Sequence, residues 1–321
     1  MGITEADWEA ASSALESAST IGVVGHVRPD GDALGAMLGL AHSGRAAGKD
    51  AVASFGEPFV LGKEFDYLDQ SVLVAPGDLP SDLDLAVVCD TGVLERVGSV
   101  ASKVSAASTL LVIDHHVTSG DIGDIVLVDP TAAATTQLVY LLLERMGWPI
   151  TTAVADALYT GLVTDSGRFM YSSTTAQVHN IAGALIDRGV EPAVVGQHLY
   201  ERAPFGYYRV IADVLGRAVL DEQAGLVWAT VTRDDLAAAG VGWEATDPLI
   251  DLVRLAEESG VALLLKEVQP GTIKGSLRSR GEVDVAAVAA AFGGGGHHNA
   301  AGFTAEQTPE EIVTKVTELL T

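Results

Sequence analysis

The stretch Leu110–Gly120, LLVIDHHVTSG, decides the fold. Four apolar residues run without a polar break and end abruptly in Asp114, His115 and His116. A continuous apolar run of that length, closed by polar residues, predicts a strand buried on both faces, as in a parallel sheet. The same pattern recurs on either side. TIGVVGH (20–26) is a short apolar run ending in His26, and LDLAVVCDTG (83–92) ends in Asp90. DAVASF (50–55) and DIVLVDP (124–130) add two further strand candidates.

Helical segments lie between and after these runs. DALGAMLGLAHSGRAAG (32–48) has helical spacing and a glycine stop, and the segments around 132–147 and 152–165 are helical as well. Strands alternating with helices predict right-handed crossovers and a mainly parallel sheet with helices on both faces. In such sheets ligands bind beyond the carboxyl ends of the strands. His26, Asp90 and Asp114-His115-His116 each follow a strand directly, so separate strands are expected to deliver them to one rim.

The 321 residues suit two domains. A domain over 1–190, a helical connection over 191–218 and a smaller α/β domain over 219–321 are expected. The last contains the strands AGLVWATVT, VALLLKEV and TIKGSLRS and the glycine-rich loop FGGGGHHNAAGF.

Charge narrows the chemistry. Against 43 acidic residues stand 19 basic ones, a formal net charge of −24. Long nucleic acid requires a broad basic face to neutralise phosphates, and this composition excludes it. An anionic substrate must be small and held by a local device. Cys89 is the single cysteine, which precludes an internal disulfide and suits a reducing cytoplasm. The first twenty residues are acidic and polar, unlike a signal peptide, and no apolar run reaches membrane-spanning length. A cytoplasmic protein with no membrane partner is expected.

Taken singly, each polar motif has a plain structural reading. Pro29-Asp30-Gly31-Asp32 is a good turn with a helix cap; Asp90 and Asp165 could end a strand or loop. Taken together they do not. Five of the eight histidines fall in three short motifs, at 26, 115–116 and 297–298. With Asp30, Asp32, Asp90 and Asp165 the rim offers ligands for two divalent ions, one carboxylate bridging. Two ions ~3.5–4 Å apart are a device for attacking phosphorus esters. His42, His179 and His198 sit in helical stretches without such company.

The ordered set HVRPDGDALG, VVCDTG, VIDHH and VTDSGRF, followed by GSLRS and GGGGHHNAAG, resembles the DHH phosphoesterase superfamily and its DHHA1 subfamily over nearly the whole chain. That resemblance implies a cleft between the domains as the active site and two Mn²⁺ ions as cofactors. One would be held by His26, Asp30 and Asp90, the other by Asp32, Asp90, His115 and Asp165. It implies that Asp114 orients the histidine pair and that His116 contacts the phosphate and protonates the leaving oxygen. Arg278, Ser279, Gly295, Gly296, His297 and His298 would contact substrate. Arg28 stands where the family often has asparagine, and would either add a phosphate contact or point to solvent; Ser166 stands where threonine is common.

The domain set resembles the stand-alone oligoribonuclease and phosphoadenosine phosphatase group. The expected activity is Mn²⁺-dependent cleavage of short oligoribonucleotides and dinucleotides, pApA and cyclic di-AMP among them, to 5′-mononucleotides. A phosphatase acting on 3′-phosphoadenosine 5′-phosphate is the alternative, and a non-catalytic nucleotide-binding regulator is the alternative of another class. The resemblance also implies a homodimer.

Overall fold

The computed structural model describes residues 2–116 and 122–321, without the side chains of Glu244 and His297. It divides into two compact units, Met1–Arg202 and Ala203–Thr321.

In the first unit the elements run α1 (Glu5–Ser17), β1 (Thr20–Val24), α2 (Gly31–Ala46), β2 (Asp50–Ser54), β3 (Leu85–Cys89), α3 (Ala101–Ser105), β4 (Thr109–Asp114), β5 (Ile125–Val128), α4 (Thr135–Met146), α5 (Thr152–Asp165), α6 (Ala176–Asp187) and α7 (Pro192–Tyr200). The five strands form one parallel sheet in the order β2-β1-β3-β4-β5. Its central strands are buried on both faces, which is why they read as unbroken apolar runs. Alternate residues serve two cores. Val23, Val87, Leu111 and Ile113 face the core shared with α2, α4 and α5. Val24, Val88 and Val112 face a smaller one closed by Leu79, Leu83, Val97 and Val104. Helices were expected on both faces; among the described residues α2, α4 and α5 pack on the first, and the short α3 packs on the second with Leu79, Leu83 and Val97.

Helices α2 and α5 lie backbone to backbone. A Cβ on Gly35 would stand 2.3 Å from the Ala157 carbonyl oxygen, and one on Gly39 2.7 Å from Leu158. Only glycine permits that approach, and the contact fixes both the start of α2 and the end of α5.

The second unit contains α8 (Tyr207–Gly216), β6 (Val219–Asp221), β7 (Leu226–Val231), α9 (Arg233–Ala239), α10 (Leu249–Val253), β8 (Val261–Gln269), β9 (Thr272–Ser279), α11 (Val285–Ala290), β10 (Gly295–His297), β11 (Ala300–Ala305) and α12 (Pro309–Leu320). Its sheet has the order β10-β11-β9-β8-β7-β6, with β7 and β8 parallel and the other pairs antiparallel. Leu263, Leu265, Leu277 and Phe303 pack beneath α11 and α12; Val227, Ala229, Val231 and Leu264 pack beneath α8 and α10.

Two expectations change. The helices within 191–218 are shared out by the faces they bury: Val195 of α7 joins the first core, and Tyr207, Val210 and Val214 of α8 join the second unit. The glycine-rich segment is a tight hairpin, β10–β11, rather than a loop. Gly296 has φ 146°, and a Cβ there would lie 2.5 Å from the Ala300 carbonyl oxygen, so the glycine run permits close strand pairing. No helix among the described residues is long and apolar enough to cross a membrane.

Candidate metal centre

The carboxyl ends of β1, β3 and β4 lie side by side, and the polar residues that follow them meet there. His26 follows β1, Asp90 follows β3, and Asp114, His115 and His116 close β4. Asp30 caps α2, accepting from the amides of Asp32 and Ala33, and Asp32 lies in the first helical turn. Asp165 ends α5.

The distances gather these side chains into overlapping groups. His26 Nε2 lies 3.8 Å from Asp30 Oδ2 and 3.5 Å from Asp90 Oδ2. His115 Nε2 lies 3.2 Å from Asp165 Oδ2, 3.6 Å from Asp90 Oδ1 and 3.8 Å from Asp32 Oδ2. His26-Asp30-Asp90 and Asp32-His115-Asp165 could each hold a metal ion, and so could Asp90-His115-His116. Asp90 faces both histidines through different oxygens, which is the position of a bridging ligand.

The rings are fixed from behind. His26 Nδ1 is 3.0 Å from the Val27 carbonyl oxygen, and His115 Nδ1 is 3.2 Å from that of Ala132. Donation to a carbonyl puts the neutral-ring proton on Nδ1 and aims a bare Nε2 at the carboxylates. The carboxylates concentrate negative charge there, which protons on the rings or a bound divalent ion would balance. Imidazole nitrogens with carboxylate oxygens suit Mn²⁺, Zn²⁺ or Fe²⁺, so the donor set fits the metal pair expected from the sequence.

Electrostatics record the same need. Burial alone would lower His26, but Asp30 and Asp90 outweigh it and raise the ring to about 10. For His115 burial again opposes, and Asp165, Asp32 and Asp90 raise it to about 10. Burial, with repulsion from Asp30 and Asp90, raises Asp165 to about 6. Asp32 is pushed well above the ordinary carboxylate range by burial and by Asp90 and Asp165. Where a divalent ion is absent, the centre retains protons.

Asp32 carries a further set of bonds that sequence reasoning missed. Its Oδ2 accepts from the Thr135 amide at 2.6 Å, and its Oδ1 accepts from the Thr136 amide at 2.9 Å and hydroxyl at 2.7 Å. The Thr135 hydroxyl donates to Asp90 Oδ1 at 2.9 Å. The N-terminus of α4 has no side-chain cap of its own; a carboxylate from α2 fills that role, stabilised by amides and helix dipole. Paired threonines at a helix start were the available signal. Asp114 Oδ1 accepts from His116 Nδ1 at 2.7 Å and from the amides of His115 and His116, which fixes the His116 ring beside Asp90, 3.7 Å away.

The backbone is strained here and nowhere else among the described non-glycine residues. Arg28, Asp90, Arg168 and Phe169 have φ between 52° and 62°, a region that costs ~1 kcal/mol or more for most side chains. All four lie in the loops that carry His26, Asp90 and Asp165. Arg28 is exposed, and Arg168 stacks over the Tyr200 ring at 4.0 Å.

In the second unit the pairing puts Arg278, Ala300 and His297 in one row across β9, β11 and β10, with Gly295 opposite Gly302. The expected role of the His297 side chain lies outside the described residues. His298 is half exposed, its Nδ1 3.9 Å from Asp284. Strand alternation turns Ser279 away from Arg278, and its hydroxyl donates to the Val283 carbonyl and accepts from Asn299 Nδ2.

Known proteins share the sequence pattern and the fold of this chain. The family models "DHH family, N-terminal domain" and "DHHA1 domain" match residues 20–162 and 229–321. The chain is 34% identical to the bifunctional oligoribonuclease and PAP phosphatase NrnA of Thermus thermophilus, over 92% of this chain and 89% of that protein. Among solved structures, an exopolyphosphatase-related protein from Bacteroides fragilis superposes with a TM-score of 0.91 at 26% identity, covering 99% of this chain and 96% of the other. Exonuclease RecJ bound to manganese shares the fold, with a TM-score of 0.53 at 17% identity over 98% and 94% of the two chains.

Proposed function

The chain belongs to the DHH family, with a DHHA1 domain behind the DHH domain, and from that membership we propose that it is a Mn²⁺-dependent phosphodiesterase that releases 5′-mononucleotides from dinucleotides and short RNA. Hydrolysis of phosphoric esters is the activity that its relatives carry in their names. The observation that supports the reading is the centre in which two histidine Nε2 atoms and four carboxylates converge in overlapping groups that could each hold a metal ion.

His26, Asp30 and Asp90 would hold one ion, and Asp32, Asp90, His115 and Asp165 the other, with Asp90 shared. Two divalent ions held there supply Lewis acidity at the ester and lower the pKa of a water. The chain's own groups do the rest. Asp114 fixes the His116 ring through Nδ1, so proton delivery to the leaving oxygen falls to Nε2. Thr135 and Thr136 keep Asp32 and Asp90 in register with each other. Arg278, in a row with the glycine hairpin, suits phosphate oxygens through its guanidinium fork. Arg28, exposed in the loop that carries His26, would be available for a phosphate contact.

The strong acidity favours small substrates, since each phosphate left without a contact adds repulsion. Cyclic di-AMP belongs in the same class, because opening its ring and cleaving the linear product present the same phosphodiester to the same groups. A second reading, 3′-phosphoadenosine 5′-phosphate phosphatase, is supported by the double name of the Thermus relative. A regulator that binds nucleotides without turnover is the reading of another class. We take the enzyme to act in the cytoplasm, as a homodimer.

The test is a chromatographic product assay with Mn²⁺, offering cyclic di-AMP, pApA, 3′-phosphoadenosine 5′-phosphate and pyrophosphate in parallel. AMP from the dinucleotides is the expected result. Turnover of phosphoadenosine phosphate alone replaces the phosphodiesterase by the phosphatase, and no turnover of any leaves the binding protein.

A further inference from the structure

Asp165 is the one candidate ligand that stands in the last turn of a helix. Helix ends fray, because their final carbonyls lack partners within the helix. Here the end of α5 is closed by a glycine. The Gly167 amide donates to the Thr164 carbonyl at 3.1 Å and the Arg168 amide to the Val163 carbonyl at 2.8 Å, with Gly167 at φ 59°. That is the Schellman closure, which needs a left-handed backbone at the glycine alone.

The chain goes further than the closure requires. Arg168 and Phe169 follow with φ 61° and 62°, so three residues in a row are left-handed, two of them carrying a Cβ. Such a conformation persists only where the surroundings enforce it. The Ser166 hydroxyl, on a fully buried side chain, accepts from the Phe169 amide at 3.0 Å. The Phe169 ring centre lies 6.1 Å from that of Tyr159 on α5 and 5.3 Å from that of His179 on α6. The Arg168 guanidinium lies over the Tyr200 ring of α7, 4.0 Å from its centre. The Tyr200 hydroxyl donates to the Val163 carbonyl at 3.5 Å. Tyr200 thus reaches both ends of the 2.8 Å closing bond, the residue that donates it and the carbonyl that accepts it.

An exposed stack of a guanidinium on an aromatic ring adds little to the stability of a whole unit, yet this one closes the turn on which Asp165 depends. Fraying of that turn would carry the carboxylate away from His115 Nε2, which is 3.2 Å from it in the closed form. His26, Asp30 and Asp90 stand on other loops and would keep their places. We propose that Arg168 and Tyr200 are positioning residues for Asp165, so that the metal position made by Asp32, His115 and Asp165 depends on their stack while the position made by His26, Asp30 and Asp90 does not. Their action passes through the backbone of α5 and its closing turn. The inference rests on the metal-centre reading above.

Isothermal titration of the full chain with Mn²⁺ measures both positions without any turnover. In Tyr200→Leu, binding at one position should weaken about tenfold, the low end for losing a group that orients a ligand, with the other unchanged. Tyr200→Phe keeps the ring and should restore the lost affinity. Arg168→Gly relieves the left-handed backbone and removes the stack together, so it should weaken the same position while leaving the Tm near that of the parent. Should Tyr200→Leu fail to fold, the exposed Arg168→Gly decides alone. Hydrogen exchange over residues 166–171 of the metal-free chain should quicken in both variants, which reads the turn with no ion present. Parent affinity at both positions, equal weakening at both, or unchanged exchange overturns the proposal and leaves the stack a surface contact. A parent chain that binds no Mn²⁺ overturns the metal-centre reading and this proposal together, whereas a parent that binds while the variants match it overturns this proposal alone.

Discussion

Adding Mn²⁺ to the metal-free protein at neutral pH should expel protons, and two histidines set the number. His26 and His115 hold their charge to about pH 10 because carboxylates surround each Nε2, yet an imidazole binds a metal only as the neutral ring. At pH 7.5 both rings are almost fully protonated, so filling both positions releases about two protons. Asp32, pushed up by burial and by its neighbours, adds to that release. Apparent affinity then rises about tenfold per pH unit for each proton displaced, or about 1.4 kcal/mol, from pH ~7 to ~9. Stability moves in the opposite sense. A histidine raised in the folded state stabilises it fully below pH 6.5, and that contribution is lost as the pH climbs toward 10. Asp165, raised from 3.8 to about 6, acts in the same direction at lower pH: stability falls as pH rises between those values. The Tm of the metal-free protein should therefore fall steadily from pH 4 to pH 9, and saturating Mn²⁺ should remove the part above pH 6.5. Isothermal titration at pH 7.5 in two buffers of different ionisation enthalpy counts the protons. A count near zero, or an affinity indifferent to pH, refutes the picture of two cationic rings among carboxylates.

Three substitutions probe the centre from other sides. Asp90→Asn keeps a residue that tolerates φ 61° while removing the shared charge; turnover should fall at least ~100-fold with the metal-free Tm unchanged or higher, whereas Asp90→Ala adds ~1 kcal/mol of backbone strain that confuses the reading. Wild-type turnover in Asp90→Asn would rule out the shared-ligand assignment. Gly161→Ala would put a Cβ 2.5 Å from Thr136 Cγ2 and 2.6 Å from Asp32 Oδ1; it should cost about 1–3 kcal/mol by thermal melting and weaken Mn²⁺ binding, while Gly183→Ala, with no atom within 4 Å, should do neither. Asp114→Asn leaves the ligand set intact but loosens the His116 ring; kcat should drop by ~10-fold or more with Mn²⁺ affinity retained, and an unchanged kcat would exclude His116 as the acid.

The parallel sheet was legible because buried central strands leave an unambiguous trace, an apolar run cut off by a polar residue. The rim residues were legible for the same reason: a strand that ends in aspartate and histidine has only one edge on which to present them. What stayed hidden depended on partners distant in sequence. Nothing in AAATTQLVY says that Thr135 and Thr136 meet a carboxylate from α2, because that bond exists only once α2 and α5 have closed on their glycines. Lys266 in VALLLKEV reads as the polar end of a strand, and its burial follows from α10 and Asp247. That Ser279 and Arg278 face opposite ways is a matter of strand parity, which motif matching does not register. The glycine run was taken for a loop because glycine is rare in strands; here it is what lets two backbones touch.

The ring of carboxylates and imidazoles is assembled from both ends of the first unit: the loop after β1, the tip of β3, the tip of β4 and the last turn of α5. No fragment shorter than His26 through Asp165 contains it. A cation bound there is consequently an auditor of the finished chain, since it gains nothing from a half-built sheet and stabilises the completed unit in proportion to the logarithm of its concentration. Scarcity of the ion would then reach past catalysis: the same shortage that idles the centre also shifts the balance toward open, protease-sensitive forms, tying the lifetime of the polypeptide to the supply of its metal.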